Sequence, residues 1–307
     1  MPTSSRNVFE NWHLNIWDDG SQDRTVPLLR DFVAAHRDRV TLIEDALGPL
    51  GAQGNFARIM SFAEAPYVAF CDQDDIWYPD KLSTTFARLK SLEGRYGTDV
   101  PLMVHTDRRL VGEDGREIVP SYWTSRQIDP SDFGTGTRHL GFCLAAGATM
   151  VINRSLLLRA LPIPPAARMY DTWLELVAHG LGAVEGMNRP TLDHRRHGRN
   201  ASGAGDDNNS TQARRLWPRA KRFLQMWDVE RRIVARYLGQ AEAFRSRYAP
   251  ELDPAFSMAL NRFIGLPSQS FPGRLLTLIQ SRTAPPGQER LLRLALLSGQ
   301  SNHRQRT

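Results

Sequence analysis

The sequence predicts an α/β fold with a mostly parallel central sheet covered by helices, followed by a basic α-helical carboxyl-terminal region. Three observations carry this expectation. Strand-like and helix-like runs alternate from His13 to Asp107. Two strand-like runs end abruptly in acids, at Asp18-Asp19 and at Asp72, Asp74 and Asp75. From Arg215 onward, aromatic and aliphatic residues recur at helical spacing among Arg and Lys. A βαβαβ rhythm argues for parallel strands, because parallel neighbours need a long crossover that a helix supplies.

Taken in order, His13 to Trp17 reads as a strand and ends in Asp18-Asp19-Gly20-Ser21. Pro27 to His36 has apolar residues at helical spacing, and Val40 to Ile43 returns to strand character. Asn55 to Ala63 reads as a helix, Tyr67 to Cys71 as a buried strand, and Pro79 to about Leu92 as a helix with Pro79 at its favoured first position. Leu102 to His105 is a further strand. In the middle, Asp129 to Gly136 is a loop, Gly147 to Asn153 is strand-like, and Asp171 to Gly180 is a short helix with an apolar side. Thr191 to Gly203 is a basic, Gly-containing segment, and Asp206 to Ser210 is polar enough to mark a domain edge. The expected domains are therefore 1–210 and a basic amphipathic helical region, 211–307. That region reads as helices packed on the sheet or on each other, or as a surface held to anionic lipid.

Composition narrows the function classes. The 307 residues, 41% hydrophobic, are enough for a sizeable core. Cys71 and Cys143 sit in apolar runs without CxxC spacing, which excludes a disulfide framework and a cysteine zinc site. The longest apolar stretch, Gly141 to Ile152, falls short of the roughly 18 residues a membrane span needs. Met-Pro-Thr-Ser-Ser-Arg-Asn has no apolar signal core, so the expected location is cytoplasmic, with peripheral contact on the inner face of the membrane. The net charge of +6 suits phosphate-bearing substrates or anionic lipid. The aromatics do not recur as a stacking platform, so nucleic acid is not expected.

The acids carry the chemistry. In open α/β sheets ligands bind at the carboxyl ends of strands, and crowded carboxylates are best tolerated beside a divalent cation. The plain alternative for Asp72 to Asp75 is a solvated turn capping the next helix. Two acidic strand ends in one α/β half suggest a nucleoside-diphosphate site. There Asp18 or Asp19 accepts hydrogen bonds from the base or ribose, Asp74 holds a divalent metal (Mg or Mn) and Asp72 lies on the sugar side.

At this point the chain resembles a known family. Asp-Asp-Gly-Ser at 18–21, Leu-Gly-Ala-Gln-Gly-Asn-Phe at 50–56 and Asp-Gln-Asp-Asp-Ile-Trp at 72–77 are similar to family 2 glycosyltransferases of the GT-A fold, most of all to the bacterial rhamnosyltransferase branch. The resemblance continues through His105-Thr106-Asp107, Gly147-Ala148-Thr149-Met150 with Asn153, Tyr170-Asp171-Thr172-Trp173, and His194-Arg195-Arg196-His197-Gly198 with Asn200. It implies an inverting transfer of a sugar, L-rhamnose from dTDP-rhamnose, to a glycan or lipid-linked glycan acceptor of the cell-surface polysaccharide type. It also implies roles. Asp171 is the general base, Asn55, Gly147 and Arg196 contact the donor with Asp18, Asp19 and Asp72, and His197 joins Asp74 at the metal. Residue by residue the plain readings are a helix N-cap for Asp171, a surface histidine for His197 and a packing glycine for Gly147.

The chain departs from the family at three places. Family members begin with one more strand, so Met1 is expected to be an internal start of a longer protein. Tyr170 stands where His or Glu often precedes the base, and Gly54 stands where a basic residue often precedes Asn55. Two other readings compete: a truncated, non-catalytic descendant that binds glycan or membrane, and a haloacid-dehalogenase-like phosphatase with Asp72 as nucleophile and Asp74 as acid. That phosphatase family places Thr or Val where Ile76 stands here.

Overall fold

Short β-rich runs and amphipathic runs fold in the expected alternation. The computed structural model describes residues 9–45, 47–129, 136–197, 219–280 and 295–299. Strand β1 (Leu14–Ile16) leads to helix α1 (Thr25–Ala35), β2 (Val40–Leu42) and α2 (Gly51–Met60). Then come β3 (Tyr67–Ala69), β4 (Ile76–Trp77), α3 (Lys81–Tyr96), β5 (Leu102–Val111), β6 (Glu117–Val119) and the single turn α4 (Tyr122–Ser125). Two 3-10 turns, Gly136–Leu140 and Gly147–Thr149, precede β7 (Met150–Asn153), α5 (Arg154–Ala160), α6 (Tyr170–Leu181) and β8 (Ala183–Arg195). The chain continues as α7 (Arg219–Tyr248), α8 (Pro254–Ile264) and α9 (Phe271–Gln280).

The sheet is mixed, which corrects the expectation of mostly parallel strands. Strands β1 and β2 pair in parallel as a two-stranded sheet, and six strands form a second sheet in the order β3-β7-β5-β8-β4, with β6 on β5. Within it only β5 and β8 run parallel; β3·β7, β5·β7, β4·β8 and β5·β6 are antiparallel. The cause lies in the second half of the chain. Strand β7 is reached through irregular turns and enters between β3 and β5 from the opposite end, so no crossover helix sets its direction. A second correction concerns Pro79, which precedes the N-cap Asp80 and so lies outside α3. A third is β8 itself: Thr191 to Arg195 end a 13-residue strand where the sequence suggested a basic loop. Residues 198–203 and 206–210 lie outside the described residues.

Helix α6 is the centre of the core. Trp173, Leu174, Leu176, Val177 and Ala178 are all buried and make a broad apolar face, while Asp171, Thr172, Glu175 and His179 share the other side of the helix. The carboxyl-terminal helices share that core, with Tyr237, Phe244, Tyr248, Phe256 and Phe263 in the same cluster as Trp173 and Leu174. Close approach is built in: a Cβ at Gly180 would lie 2.4 Å from the Phe244 ring. The reading of packed helices therefore describes Val234 and Tyr237, both buried. Buried Asn153 joins three elements. Its Oδ1 accepts from Leu156 N–H (3.0 Å), capping α5, and from Leu102 N–H (3.0 Å), while its Nδ2 donates to Val100 O (2.8 Å) and Thr98 O (3.2 Å). Asn153 thus works as a fully satisfied structural residue. No helix among the described residues is long and apolar enough to cross a membrane.

Candidate active site

The site is built by one strand register. Strand β4 runs antiparallel to β8 with Ile76 opposite Asp193 and Trp77 opposite Leu192. Followed past the ends of the strands, that pairing brings residues 194–197 against Asp75 and Asp74. His194 Nδ1 lies 3.0 Å from Asp75 Oδ1, which also accepts from Arg195 N–H (3.3 Å). His197 Nε2 lies 2.6 Å from Asp74 Oδ2. The structure therefore places His197 against Asp74, which the sequence reading paired, with the charge of Asp74 felt at Asp72. It adds the Asp75–His194 pair, which that reading did not single out. Two histidines three residues apart in a basic segment were the available signal; the strand that aims them was not legible.

The cluster is electrostatically loaded. Burial, then the charges of Asp75 and Asp74, push the Asp72 carboxyl up to about 7, and Asp171 contributes in the same direction. Asp75 is buried, and its Oδ2 has no hydrogen-bond partner among the described residues. A buried carboxylate oxygen left without a donor is costly. Carboxylate and imidazole groups thus stand paired here, Asp74 with His197 and Asp75 with His194.

Behind the acids lies Lys81, fully buried at the start of α3, its Nζ 4.9 Å from the centroid of the Trp77 ring and 3.3 Å from Thr191 Oγ1. Thr191 Oγ1 in turn lies 2.7 Å from Thr106 Oγ1. Sequence reasoning missed Lys81, because lysine is rarely enclosed unless paired. Burial pulls its ammonium down to about 8, opposed by Cys71 and Asp75. The native state thus holds a charged Lys81 at a penalty that is fully present below pH 8. The penalty is relieved as pH rises from 8 toward 10.5, where the unfolded chain still binds the proton. Urea unfolding of wild type and Lys81→Met at pH 7 and 9.5 is expected to show the wild type gaining about 2 kcal/mol relative to the variant at the higher pH. A pH-independent difference would refute this account of Lys81.

Asp171 sits in the first turn of α6 and is not its N-cap, which is Met169. Its Oδ1 accepts from Thr172 N–H (2.7 Å) and its Oδ2 from Gly147 N–H (3.3 Å). Burial raises its pKa against the opposing pull of the Thr172 N–H and Arg168. The turn before it is held by α7: buried Gln240 Oε1 accepts from Arg168 N–H and from the Thr172 hydroxyl, both at 3.0 Å. Tyr170 stacks on Phe56 with ring centroids 4.2 Å apart, and its hydroxyl covers Gly147. A Cβ at Gly147 would lie 1.8 Å from that hydroxyl, so Gly147 is a packing glycine whose N–H also orients Asp171. Gly147→Ala is expected to lose about 1–3 kcal/mol of stability, read by urea unfolding. Tyr170→Phe in the same chain should restore part of it; no rescue would mean that the clash lies elsewhere.

The remaining predicted residues are engaged locally. Asp18 Oδ2 accepts from Gly20 N–H (3.0 Å) and Ser21 N–H (2.7 Å), closing its own turn. Asp19 reaches across to the start of α2, accepting from Leu50 N–H (2.6 Å) and Gly51 N–H (2.8 Å). Asn55 Nδ2 donates to Trp17 O (3.2 Å), fixing α2 against the end of β1. Arg196 donates its backbone N–H to Val111 O (2.8 Å). Asp107 accepts from the Ser121 hydroxyl and Trp123 N–H and so holds α4.

Against known proteins, the profile described as "Glycosyl transferase family 2" matches residues 3–157, half of the chain. The chain belongs to this family. With that, the fold is the GT-A type, helices flanking a curled mixed sheet, and the phosphatase reading falls. EpsE of Bacillus subtilis, named as a glycosyltransferase, is 29% identical over 114 residues, 37% of this chain and 39% of EpsE. The succinoglycan biosynthesis protein ExoW of Rhizobium meliloti is 30% identical over 79 residues, 26% of this chain and 25% of ExoW. The matched segments thus span well under half of either relative. Among solved structures, S. aureus TarS aligns with a TM-score of 0.51 at 14% identity, covering 98% of this chain and 50% of TarS. Similarity at that level concerns the fold alone.

Proposed function

We propose that this family 2 protein is an inverting, metal-dependent glycosyltransferase that moves a sugar from a nucleoside-diphosphate donor to a glycan acceptor in polysaccharide biosynthesis. One observation carries the reading: the acids after β3 meet His194 at the end of β8 and His197 just past it, with the charge of Asp171 felt at Asp72. The two relatives named for glycosyl transfer and succinoglycan biosynthesis support the class of reaction. L-rhamnose from dTDP-rhamnose is the donor that the resemblance of the motifs favours. The acceptor class is glycan or lipid-linked glycan, with the basic helices making peripheral contact with the membrane's inner face.

In this mechanism Asp171 takes the proton of the acceptor hydroxyl. A partly buried carboxylate whose affinity for protons is raised is a better base than a solvated one, provided it stays ionised at the working pH. Gly147 N–H and Thr172 N–H hold its two oxygens, so the base is oriented before the acceptor arrives. Asp74 and His197 would hold the divalent cation, which when bound supplies positive charge for the departing diphosphate. Asp72 faces the sugar side. Asp75, fixed by His194 and Arg195 N–H, sets the position of the whole turn. Incubation with dTDP-rhamnose, a panel of UDP-hexoses and manganese tests the proposal through the nucleoside diphosphate released. Binding of donor without release would favour the non-catalytic reading.

A further inference from the structure

A second group of donors lies on α6, beyond the base. Glu175 and His179 are four residues apart and so share one face of the helix. His139 comes to them from the 3-10 turn Gly136–Leu140. Its Nδ1 lies 2.7 Å from Glu175 Oε1, and both side chains are 1% exposed. The rings of His139 and His179 are stacked, with centroids 3.5 Å apart and planes at 14°. One donor atom from each of the three residues lies within 4.8 Å of the other two. His179 Nε2 is buried and has no hydrogen-bond partner among the described residues.

We infer that His139, Glu175 and His179 form a second metal site, distinct from the Asp74 centre, that takes a zinc-type divalent ion. The donor set decides the metal class: two imidazoles and one carboxylate suit zinc, whereas Mg and Ca prefer oxygen alone. The outer shell is also in place. The Glu175 oxygens accept from Leu144 N–H (3.1 and 3.2 Å) and from Ala145 N–H (3.4 Å), the kind of backbone support that fixes a ligating carboxylate. Binding requires the stacked rings to splay so that their nitrogens converge on one ion. The ion then clips the 139–145 segment to α6. Asp171 lies one turn before Glu175 on that helix, and Gly147, which donates to Asp171, follows the clipped segment. The site's role is to position that wall of the active site. The inference rests on the geometry of α6 and the 139–145 segment against it, so its failure leaves the transfer reading untouched.

The test uses the full chain, freed of metal by dialysis against a chelator and titrated with Zn2+ against a chromophoric competitor, with bound metal counted by mass spectrometry. Asp74→Ala removes the other centre. The inference expects that variant to keep one zinc per chain and to gain thermal stability on adding Zn2+. His139→Gln and His179→Gln, made in the same background, should weaken zinc binding at least about 100-fold. If these histidine variants fail to fold, the Asp74→Ala chain decides alone through its zinc count and zinc-dependent melting. Zinc binding that disappears with Asp74→Ala, or that survives both histidine changes, would overturn the inference.

Discussion

Asp171→Asn is expected to lower sugar transfer by about a thousandfold while leaving the fold intact. The amide keeps the shape, and its one oxygen can still accept the shorter bond from Thr172 N–H, but its NH2 then faces Gly147 N–H, and it cannot take a proton from the acceptor. Stability should change little, because the long bond lost from Gly147 N–H (3.3 Å) is offset by no longer holding an ionised carboxylate in a buried place. Donor binding, read by nucleotide titration, should change little. A variant that loses stability and donor affinity together would make Asp171 a structural residue of α6. The pairing of lost turnover with retained stability is what separates a base from a support.

Asp74→Ala is expected to cost about 10²–10³ in turnover, the range seen when one stabiliser of developing charge is removed. The residue has two partners in this account: His197, 2.6 Å away, and the divalent cation that both would hold. Its loss should also flatten the dependence of activity on manganese, which a merely misfolded site would not do selectively. The metal-free protein should melt no earlier than wild type, since one of three crowded carboxylates has gone. His197→Ala should give a weaker copy of the same result.

The strand ends were legible because their chemistry is local. An apolar run from Tyr67 that stops at Asp72 announces a buried strand and a charged tip, and the helical spacing of Leu174, Leu176 and Val177 announces α6. What the sequence hid is non-local. Strand β8 carries Gly186, Arg189 and Pro190 in its length, residues that argue against a central strand, yet β5 and β4 pair with it on either side. Without β8 nothing aims His194 at Asp75. Lys81 was invisible for a related reason: its enclosure depends on Trp77 and Thr191, which meet only once β4 pairs with β8. Asp18 and Asp19 carry a structural task that their motif does not show: beside the nucleotide contacts the motif suggests, their oxygens accept from backbone N–H groups of the turn and of α2.

The most direct test of a single transfer centre at Asp74, His197 and Asp171 is nucleoside diphosphate release measured against manganese concentration. Wild type, Asp74→Ala and Asp171→Asn are compared with the donor that the wild type turns over. The account predicts saturable, manganese-dependent release by the wild type. It predicts a loss of both rate and metal response in Asp74→Ala, and a loss of rate with donor binding preserved in Asp171→Asn. Wild-type release that is indifferent to manganese, or that survives either substitution, would contradict it.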